Sequence, residues 1–249
     1  MPYANFDDLQ MFYEEMGTGE PVVFLHSGYS GGILAFASQM PDFQAKYRCY
    51  FPDFRGHGRT RCESLAWNTP TLCEDIVAFM DAVHVDKAHL VGYSLGANVG
   101  LYVTVFHPHR VLTLTTIGTS GFCDPSGADD FEPEALIRTQ QTGTIAQMTE
   151  RHFEAHRGNW QEHMRQSAAD WREYPKLTAD QLRSISVPTL LISGEHDPFV
   201  GETKLLHLAG LVPDSQYLVV QGSSHRPHML REQPILVNEA ILSFLQNRG

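Results

Sequence analysis

Short apolar runs recur along this chain and constrain its fold more than any other feature of the sequence. Continuous apolar runs of this kind are typical of strands covered on both faces, as in parallel sheets with helical crossovers. Stretches with helical periodicity lie between most of the runs. The runs themselves occupy residues 22–25, 49–51, 89–91, 112–117, 189–192 and 218–220. This alternation predicts an α/β fold with a doubly wound, mostly parallel sheet.

A helix is predicted between the second and third runs. Apolar residues at helical spacing extend from Leu72 to Val83 and mark one face. Just before them, Thr71 and Glu74 have the spacing of a capping box, in which both side chains accept hydrogen bonds from backbone N–H groups. The pattern therefore predicts Thr71 as the residue that caps this helix.

The alternation of runs and helices breaks between residues 120 and 185, where helical patterns continue without a strand-like run. We interpret residues 120–185 as a helical lid inserted into a core that residues 1–119 and 186–249 form. An aromatic stripe within it either packs against the core, which is the commoner use of such a stripe, or lines a pocket. The candidate pocket residues are Tyr29, Phe153, Trp160, Met164 and Trp171.

The segment Gly92-Tyr93-Ser94-Leu95-Gly96 joins the third apolar run to a helix-compatible stretch. A serine nucleophile projects from a tight, strained turn between a strand and a helix, where flanking side chains would clash, so glycines are needed on both sides. The helix that begins there directs its free N–H groups and its positive dipole end at the site. The segment predicts Ser94 as a nucleophile, although an ordinary serine in a glycine-rich turn has the same pattern.

With these residues in view, the chain resembles the α/β-hydrolase fold family over nearly its whole length outside the predicted lid. Besides the segment around Ser94, residues 53–58 (Asp-Phe-Arg-Gly-His-Gly) resemble the family's D-x-R-G-x-G turn, to which we assign a role in shaping a loop. The resemblance implies a serine-nucleophile, esterase-like enzyme. In this fold the nucleophile is followed along the chain by an acid and then by a histidine.

The resemblance also implies which residues act as acid and base. The loop after the fifth run resembles the family's G-x-x-D pattern and implies Asp197, with Glu195 as the nearest rival. The loop after the last run places His225 at the family's histidine position, with His228 as the rival. A serine hydroxyl is a weak nucleophile and needs an imidazole held by a carboxylate. We therefore expect a catalytic triad of Ser94, Asp197 and His225.

A third implication of the resemblance is an oxyanion hole after the first run. In the family a His-Gly pair stands there, and the N–H of the next residue acts with the N–H that follows the nucleophile. Carried over, the donors are the backbone amides of Gly28 and Leu95, with Ser27 where the family has glycine. His26 is expected to order this loop. The alternative is a flexible glycine-rich loop without a role.

These residues predict a serine hydrolase that cleaves a small carboxylic ester or a related acyl substrate through an acyl-enzyme. Two alternatives stay open. One is a lactonase, a C–C bond hydrolase or a cofactor-free perhydrolase of the same fold. The other is a small-ligand receptor that uses a hydrolase scaffold. The fold does not choose among them.

Composition narrows the expected partners to a small-molecule substrate. The formal net charge of −11 disfavours nucleic acid, which needs clustered Lys and Arg. No apolar run approaches the ~20 residues of a membrane span, and the N-terminus lacks the features of a secretory signal. We therefore expect a cytoplasmic protein with no membrane partner, and the oligomeric state stays open.

The same composition predicts neither a metal nor an organic cofactor. The four cysteines form no CxxC pair and are interpreted as free thiols. His225 and His228 have the H-x-x-H spacing of a zinc site, but no acidic residue or helix supports one. The predicted triad supplies its own basic and electrophilic groups, so the reaction needs no cofactor.

Overall fold

The computed structural model describes residues 2–247, which form a nine-stranded sheet with helices on both faces. Across the sheet the order is β1-β2-β4-β3-β6-β7-β8-β9, and β5 pairs with β2. The strands are β1 (Tyr3–Phe6), β2 (Leu9–Met16), β3 (Pro21–Leu25), β4 (Arg48–Pro52), β5 (Arg61–Cys62), β6 (Ala88–Tyr93), β7 (Val111–Ile117), β8 (Thr189–Gly194) and β9 (Ser215–Val220). From β4 to β9 all neighbouring strands on this path are parallel. At the other end, β2 runs antiparallel to both β1 and β4. The predicted fold class is confirmed.

The helices connect these strands and continue past the last one. They are α1 (Gly32–Ala35), α2 (Met40–Phe43), α3 (Thr69–Ala82), α4 (Leu95–Phe106), α5 (Pro133–Arg138), α6 (Thr142–Arg151), α7 (Phe153–His156), α8 (Trp160–Glu173), α9 (Ala179–Arg183), α10 (Glu202–Leu211) and α11 (Pro234–Gln246). Short 3-10 helices span Pro108–Arg110 and Ala128–Phe131. None of the helices within residues 2–247 combines the length and apolar character needed to cross a bilayer.

The sheet separates two apolar cores, as a doubly wound fold requires. Side chains alternate between the faces of a strand, so Val23 and Leu25 of β3 join one core while Val22 and Phe24 join the other. Apolar side chains of α3, α4 and α10 cover the first face. Those of α1, α2 and α11 cover the second. Burial on both faces explains why the central strands read as continuous apolar runs.

The predicted start of α3 is wrong by three residues. Asn68, rather than Thr71, is the N-cap: its side-chain oxygen accepts from the Thr71 N–H at 2.9 Å, and Pro70 follows at the second helical position. The Glu74 carboxylate instead contacts His107 Nε2 at 2.9 Å. An Asn before Thr-Pro satisfies the free N–H groups of the first turn as well as a Thr would.

Residues 120–185, the stretch interpreted as a lid, contain α5 to α9 and lie between β7 and β8. An isolated antiparallel bridge between Phe122 and Lys176 links the two ends of this helical segment. Leu136, Met148 and Met164 form a small core of its own, against which Tyr29 packs. The segment thus lies over the loop that follows β3, at the end of the sheet where the predicted site residues are.

Candidate active site

Ser94 lies at the turn between β6 and α4 in a strained backbone conformation. Its φ is +55°, a value that side-chain-bearing residues rarely adopt. A Cβ atom on Gly96 would lie 1.9 Å from the Leu25 carbonyl oxygen, and one on Gly92 would lie 2.3 Å from the Gly96 carbonyl oxygen. The turn is held by the Ser94 N–H, which donates to the Ile117 carbonyl at 2.8 Å. Glycines on both sides are therefore a steric requirement of this turn.

The three predicted triad residues come together in a hydrogen-bonded series. His225 Nδ1 lies 2.8 Å from Asp197 Oδ2, and His225 Nε2 lies 3.2 Å from Ser94 Oγ. The other carboxylate oxygen of Asp197 accepts from the N–H groups of Phe199 at 2.8 Å and Val200 at 3.0 Å. A carboxylate can only accept hydrogen bonds, so Asp197 favours the His225 tautomer that carries its proton on Nδ1. The lone pair of Nε2 then faces the Ser94 hydroxyl.

The rival acid and base occupy other environments. Glu195 Oε2 accepts from the Gly222 N–H at 2.9 Å. His228 is buried, its Nε2 donates to the Ala35 carbonyl at 3.2 Å, and burial lowers the pKa of His228 to about 3. Neither residue hydrogen-bonds to a member of the Ser94 series.

The loop of residues 26–32 after β3, which we term the oxyanion loop, lies beside Ser94. Gly28 and Leu95, the predicted donors, border the same cavity as Ser94. A Cβ atom on Gly28 would lie 3.7 Å from Leu95 Cδ2, so the two residues are neighbours. The loop turns back on itself through a hydrogen bond from the Ser30 N–H to the Ser27 carbonyl at 3.1 Å. Ser27 therefore accommodates this turn in place of glycine.

His26 ties the oxyanion loop to the chain after β4. Its Nδ1 donates to the Ser27 carbonyl at 2.8 Å, and its Nε2 accepts from the Phe54 N–H at 2.9 Å. Burial lowers the pKa of His26 to about 4. A neutral ring with both nitrogens engaged in backbone hydrogen bonds has a structural role.

Asp53 connects the oxyanion loop to the D-x-R-G-x-G turn. Its Oδ1 accepts from the Gly32 N–H at 2.7 Å, and its Oδ2 accepts from the Arg59 N–H at 3.0 Å. Gly58 has a φ of +54°, and a Cβ atom there would lie 2.1 Å from Asp53 Oδ2. The turn is glycine-rich because its backbone folds around a buried carboxylate.

A cluster of buried imidazoles lies beneath the oxyanion loop, and the sequence reading did not anticipate it. The members of this imidazole cluster are His26, His57, His152, His156 and His163. The rings of His152 and His163 stack with centroids 4.3 Å apart, and those of His57 and His163 are 4.9 Å apart. Burial lowers the pKa of each member, that of His57 to about 3. The Gly28 backbone raises the pKa of His57 and His163 and so opposes the effect of burial. The cluster therefore lies against the oxyanion loop.

A cavity of about 530 Å³ opens beside Ser94 and His225, between the sheet and the helical segment. Of the five predicted pocket residues, Tyr29 and Trp171 line it. Phe153, Trp160 and Met164 do not. Met164 is fully buried in the small core of the helical segment, Trp160 packs on that core, and Phe153 is 56% exposed. The apolar stripe of α8 is therefore mainly a packing surface, and only its C-terminal end reaches the cavity.

The sequence reading missed a cavity wall that α6 supplies. Thr144, Gln147, Met148 and Arg151 all line the cavity, and their spacing places them on one face of this helix. Three of these four side chains are polar, so a search for apolar stripes passes over them. Helical spacing of polar residues around Met148 is the signal that could have indicated this face.

Comparisons with known proteins agree with the fold described above. A family model described as alpha/beta hydrolase fold matches residues 21–140. A pimeloyl-[acyl-carrier protein] methyl ester esterase from Aeromonas hydrophila is 26% identical, over 90% of this chain and 95% of that protein. A 2-hydroxy-6-oxo-6-(2'-aminophenyl)hexa-2,4-dienoic acid hydrolase from Metapseudomonas resinovorans is 26% identical, over 99% and 91%. The solved structure of a meta-cleavage product hydrolase from Pseudomonas fluorescens matches with a TM-score of 0.80 at 22% identity, over 97% of this chain and 96% of that one. The chain therefore has the α/β-hydrolase fold and is similar over nearly its whole length to hydrolases of that fold.

Proposed function

We propose that the chain is a serine hydrolase that cleaves a small carboxylic ester or a related acyl substrate through an acyl-enzyme on Ser94. The observation that carries the proposal is the hydrogen-bonded series from Asp197 through His225 to the Ser94 hydroxyl, at the wall of the cavity. A nucleophile, a base and a group that orients the base are thereby within reach of one bound substrate.

Acylation follows from the roles of these groups. Ser94 Oγ attacks the carbonyl carbon while His225 Nε2 takes the hydroxyl proton, and Asp197 stabilises the imidazolium that forms. The amides of Gly28 and Leu95 donate to the oxyanion of the tetrahedral intermediate. When the intermediate collapses, the bond to the leaving group breaks, and the imidazolium returns the proton to the departing oxygen.

Deacylation repeats the same steps with water as the nucleophile. His225 takes a proton from the water as its oxygen attacks the acyl carbon. Collapse of the second intermediate releases the carboxylic acid and restores the Ser94 hydroxyl. The strained Ser94 backbone supports this role, because strain of this kind persists where the surroundings hold a residue for function.

Turnover of short-chain 4-nitrophenyl esters tests the proposal. We expect sustained hydrolysis by the purified protein and a decrease of roughly 10³-fold or more for Ser94→Ala. Ser243→Ala, an exposed serine on α11, is the matched control and should retain full activity. A phosphonate directed at serine should label the peptide that contains Ser94. Hydrolysis that persists in Ser94→Ala, or a label elsewhere, contradicts the proposal.

The substrate panel also separates the alternatives. Lactones and vinylogous diketones, compared with esters at equal concentration, distinguish a lactonase or C–C bond hydrolase from an esterase. Absence of turnover across the panel, together with melting-temperature shifts on adding a ligand, would favour a receptor instead.

A further inference from the structure

The α6 wall of the cavity carries a positive charge that makes no ion pair with any residue that the structure describes. Arg151 is the last residue of α6, it is only partly exposed, and it lines the cavity. One of its N–H groups donates to the Tyr29 carbonyl in the oxyanion loop. Within residues 2–247 no carboxylate lies at ion-pair distance from it, and no other hydrogen bond uses its donors. A guanidinium has five N–H donors and keeps its charge in proteins, so most of its binding capacity is unused.

The carboxylates that border the same cavity are engaged elsewhere. Asp124 pairs with Lys204 at 2.6 Å. Asp170 accepts from the Thr69 N–H at 2.6 Å and from the Thr69 hydroxyl at 2.9 Å, and burial raises its pKa to about 6. Neither carboxylate therefore compensates Arg151. The feature is notable in a chain with a formal net charge of −11, where acidic partners are abundant.

A second guanidinium adds positive charge to the same cavity. Arg226 directly follows the base His225 and also lines the cavity, and among the described residues it has no ion pair. Arg226 is exposed, whereas Arg151 is partly buried, and a partly buried charge is costly unless a partner of opposite charge is supplied. When the protein does not supply that partner, a ligand can.

We propose that the substrate of the Ser94 site carries a carboxylate, separate from the scissile acyl group, that Arg151 binds. The inference rests on the proposed function and names its substrate class: half-esters of dicarboxylic acids and acyl compounds of similar charge. The planar guanidinium matches a carboxylate with two parallel hydrogen bonds, which fixes orientation as well as charge. Because Arg151 also holds the Tyr29 carbonyl, the bound carboxylate lies on the same wall as the oxyanion loop.

Two esters of equal length test the inference. Mono(4-nitrophenyl) adipate and 4-nitrophenyl hexanoate differ in a terminal carboxylate in place of a methyl group. We expect the wild-type protein to have the higher kcat/KM for the adipate half-ester. Arg151→Gln should lower the kcat/KM ratio of half-ester to hexanoate roughly 10- to 100-fold, as for loss of a hydrogen bond to a charged group. Arg151→Lys, which keeps the charge, should restore part of that ratio.

Arg138→Gln is the matched control, because Arg138 is an exposed arginine of α5 that does not line the cavity, and it should leave the ratio unchanged. A preference for hexanoate overturns the inference. So does an equal decrease for both esters in Arg151→Gln, which would mean that Arg151 only holds the oxyanion loop. Hexanoate hydrolysis that depends on Ser94 but shows no effect of Arg151 on the ratio refutes the inference alone. Hydrolysis of neither ester refutes the proposed function.

A measurement on the wild-type protein keeps the test decisive if the variant does not fold. Adipamate and hexanamide also differ by a carboxylate in place of a methyl group. We expect adipamate to inhibit ester hydrolysis at a concentration at least about tenfold lower than hexanamide. Equal inhibition by the two compounds overturns the inference.

Discussion

At the scale of single residues, Asp197 and Glu195 provide the sharpest test of the proposed triad, because they lie two positions apart in one loop. Asp197→Asn places an amide N–H opposite His225 Nδ1, and this favours the tautomer with a proton on Nε2, which cannot accept from Ser94. We expect kcat for ester hydrolysis to decrease about 10³- to 10⁴-fold, with the folded structure retained.

Glu195→Gln is the control for this change, since the Glu195 carboxylate accepts from the Gly222 N–H and lies near His196 but does not contact His225. It should leave kcat within about threefold of the wild-type value, as expected for a surface contact. A larger loss of activity for Glu195→Gln than for Asp197→Asn would transfer the acid role to Glu195. Steady-state kinetics with circular dichroism as the check on folding measures both variants.

The residues of the candidate site differ in how well the sequence could predict them. Ser94 could be found because close backbone approaches demand glycine at 92 and 96, and those letters are visible in the sequence. Arg151 could not, because its significance depends on which acidic side chains fail to reach it in the folded chain. The imidazole cluster escaped notice for a similar reason: His57 and His163 are 106 positions apart, and only packing brings them together.

At the scale of elements, the contact between α4 and β3 depends on Gly96. A methyl group at this position would meet the Leu25 and His26 carbonyl oxygens at 1.9 and 2.7 Å, and backbone atoms cannot move aside easily. We expect Gly96→Ala to lower the free energy of unfolding by about 3 kcal/mol or more, since overpacking against backbone is at the costly end of such changes. Urea denaturation measures this difference.

Gly143→Ala is the matched comparison, because Gly143 is also helical but has nothing within 4 Å of an added Cβ atom. Alanine is the better helix former, so this change should raise the free energy of unfolding by roughly 0.5–1 kcal/mol. The opposite signs of the two effects are the test. Destabilisation of similar size in both variants would show that the close approach of α4 to β3 does not explain the effect of Gly96→Ala.

Elements were easier to predict from the sequence than their ends and their solvent-facing surfaces. The central strands were found because burial on both faces makes them uniformly apolar. The start of α3 was misplaced because Asn68 and Thr71 are both good capping residues and only the folded backbone selects one. The cavity face of α6 was missed because polar residues form most of it.

At the scale of the whole molecule, the imidazole cluster makes stability depend on pH. An imidazole titrates near 6.5 in an unfolded chain, whereas burial lowers the pKa of His26 to about 4 and of His57 to about 3. Between pH 6.5 and those values the unfolded chain binds protons that the folded chain does not. The free energy of unfolding therefore falls as the pH is lowered through this window, by up to about 1.4 kcal/mol per pH unit for each such group. Burial raises the pKa of Asp170 to about 6, so between about pH 6 and 4 the folded chain binds a proton there that the unfolded chain does not. This contribution to the slope is opposite to that of an imidazole and offsets one of them.

Denaturation from pH 7.5 to pH 5 measures this dependence. His163→Asn removes one buried imidazole whose pKa burial lowers, and it should reduce the slope of unfolding free energy against pH, by at most about 1.4 kcal/mol per pH unit. His109→Gln, at an exposed position outside the cluster, should leave the slope as it is. A flat profile in the wild-type protein, or equal slopes in the two variants, would contradict the assignment of the pH dependence to the cluster.

The two ends of the parallel strands form two rims of the sheet, and these rims have different roles. Ser94, Asp197, His225 and the oxyanion loop all follow the carboxyl ends of strands, so the opposite rim carries none of the proposed chemistry. Lys87 is exposed and directly precedes β6, about 20 Å from Ser94 at the usual rise per strand residue. A bead, an electrode or a fluorophore coupled through that amine would leave the cavity facing the solution. The architecture therefore suits immobilisation from the amino-terminal rim of the sheet.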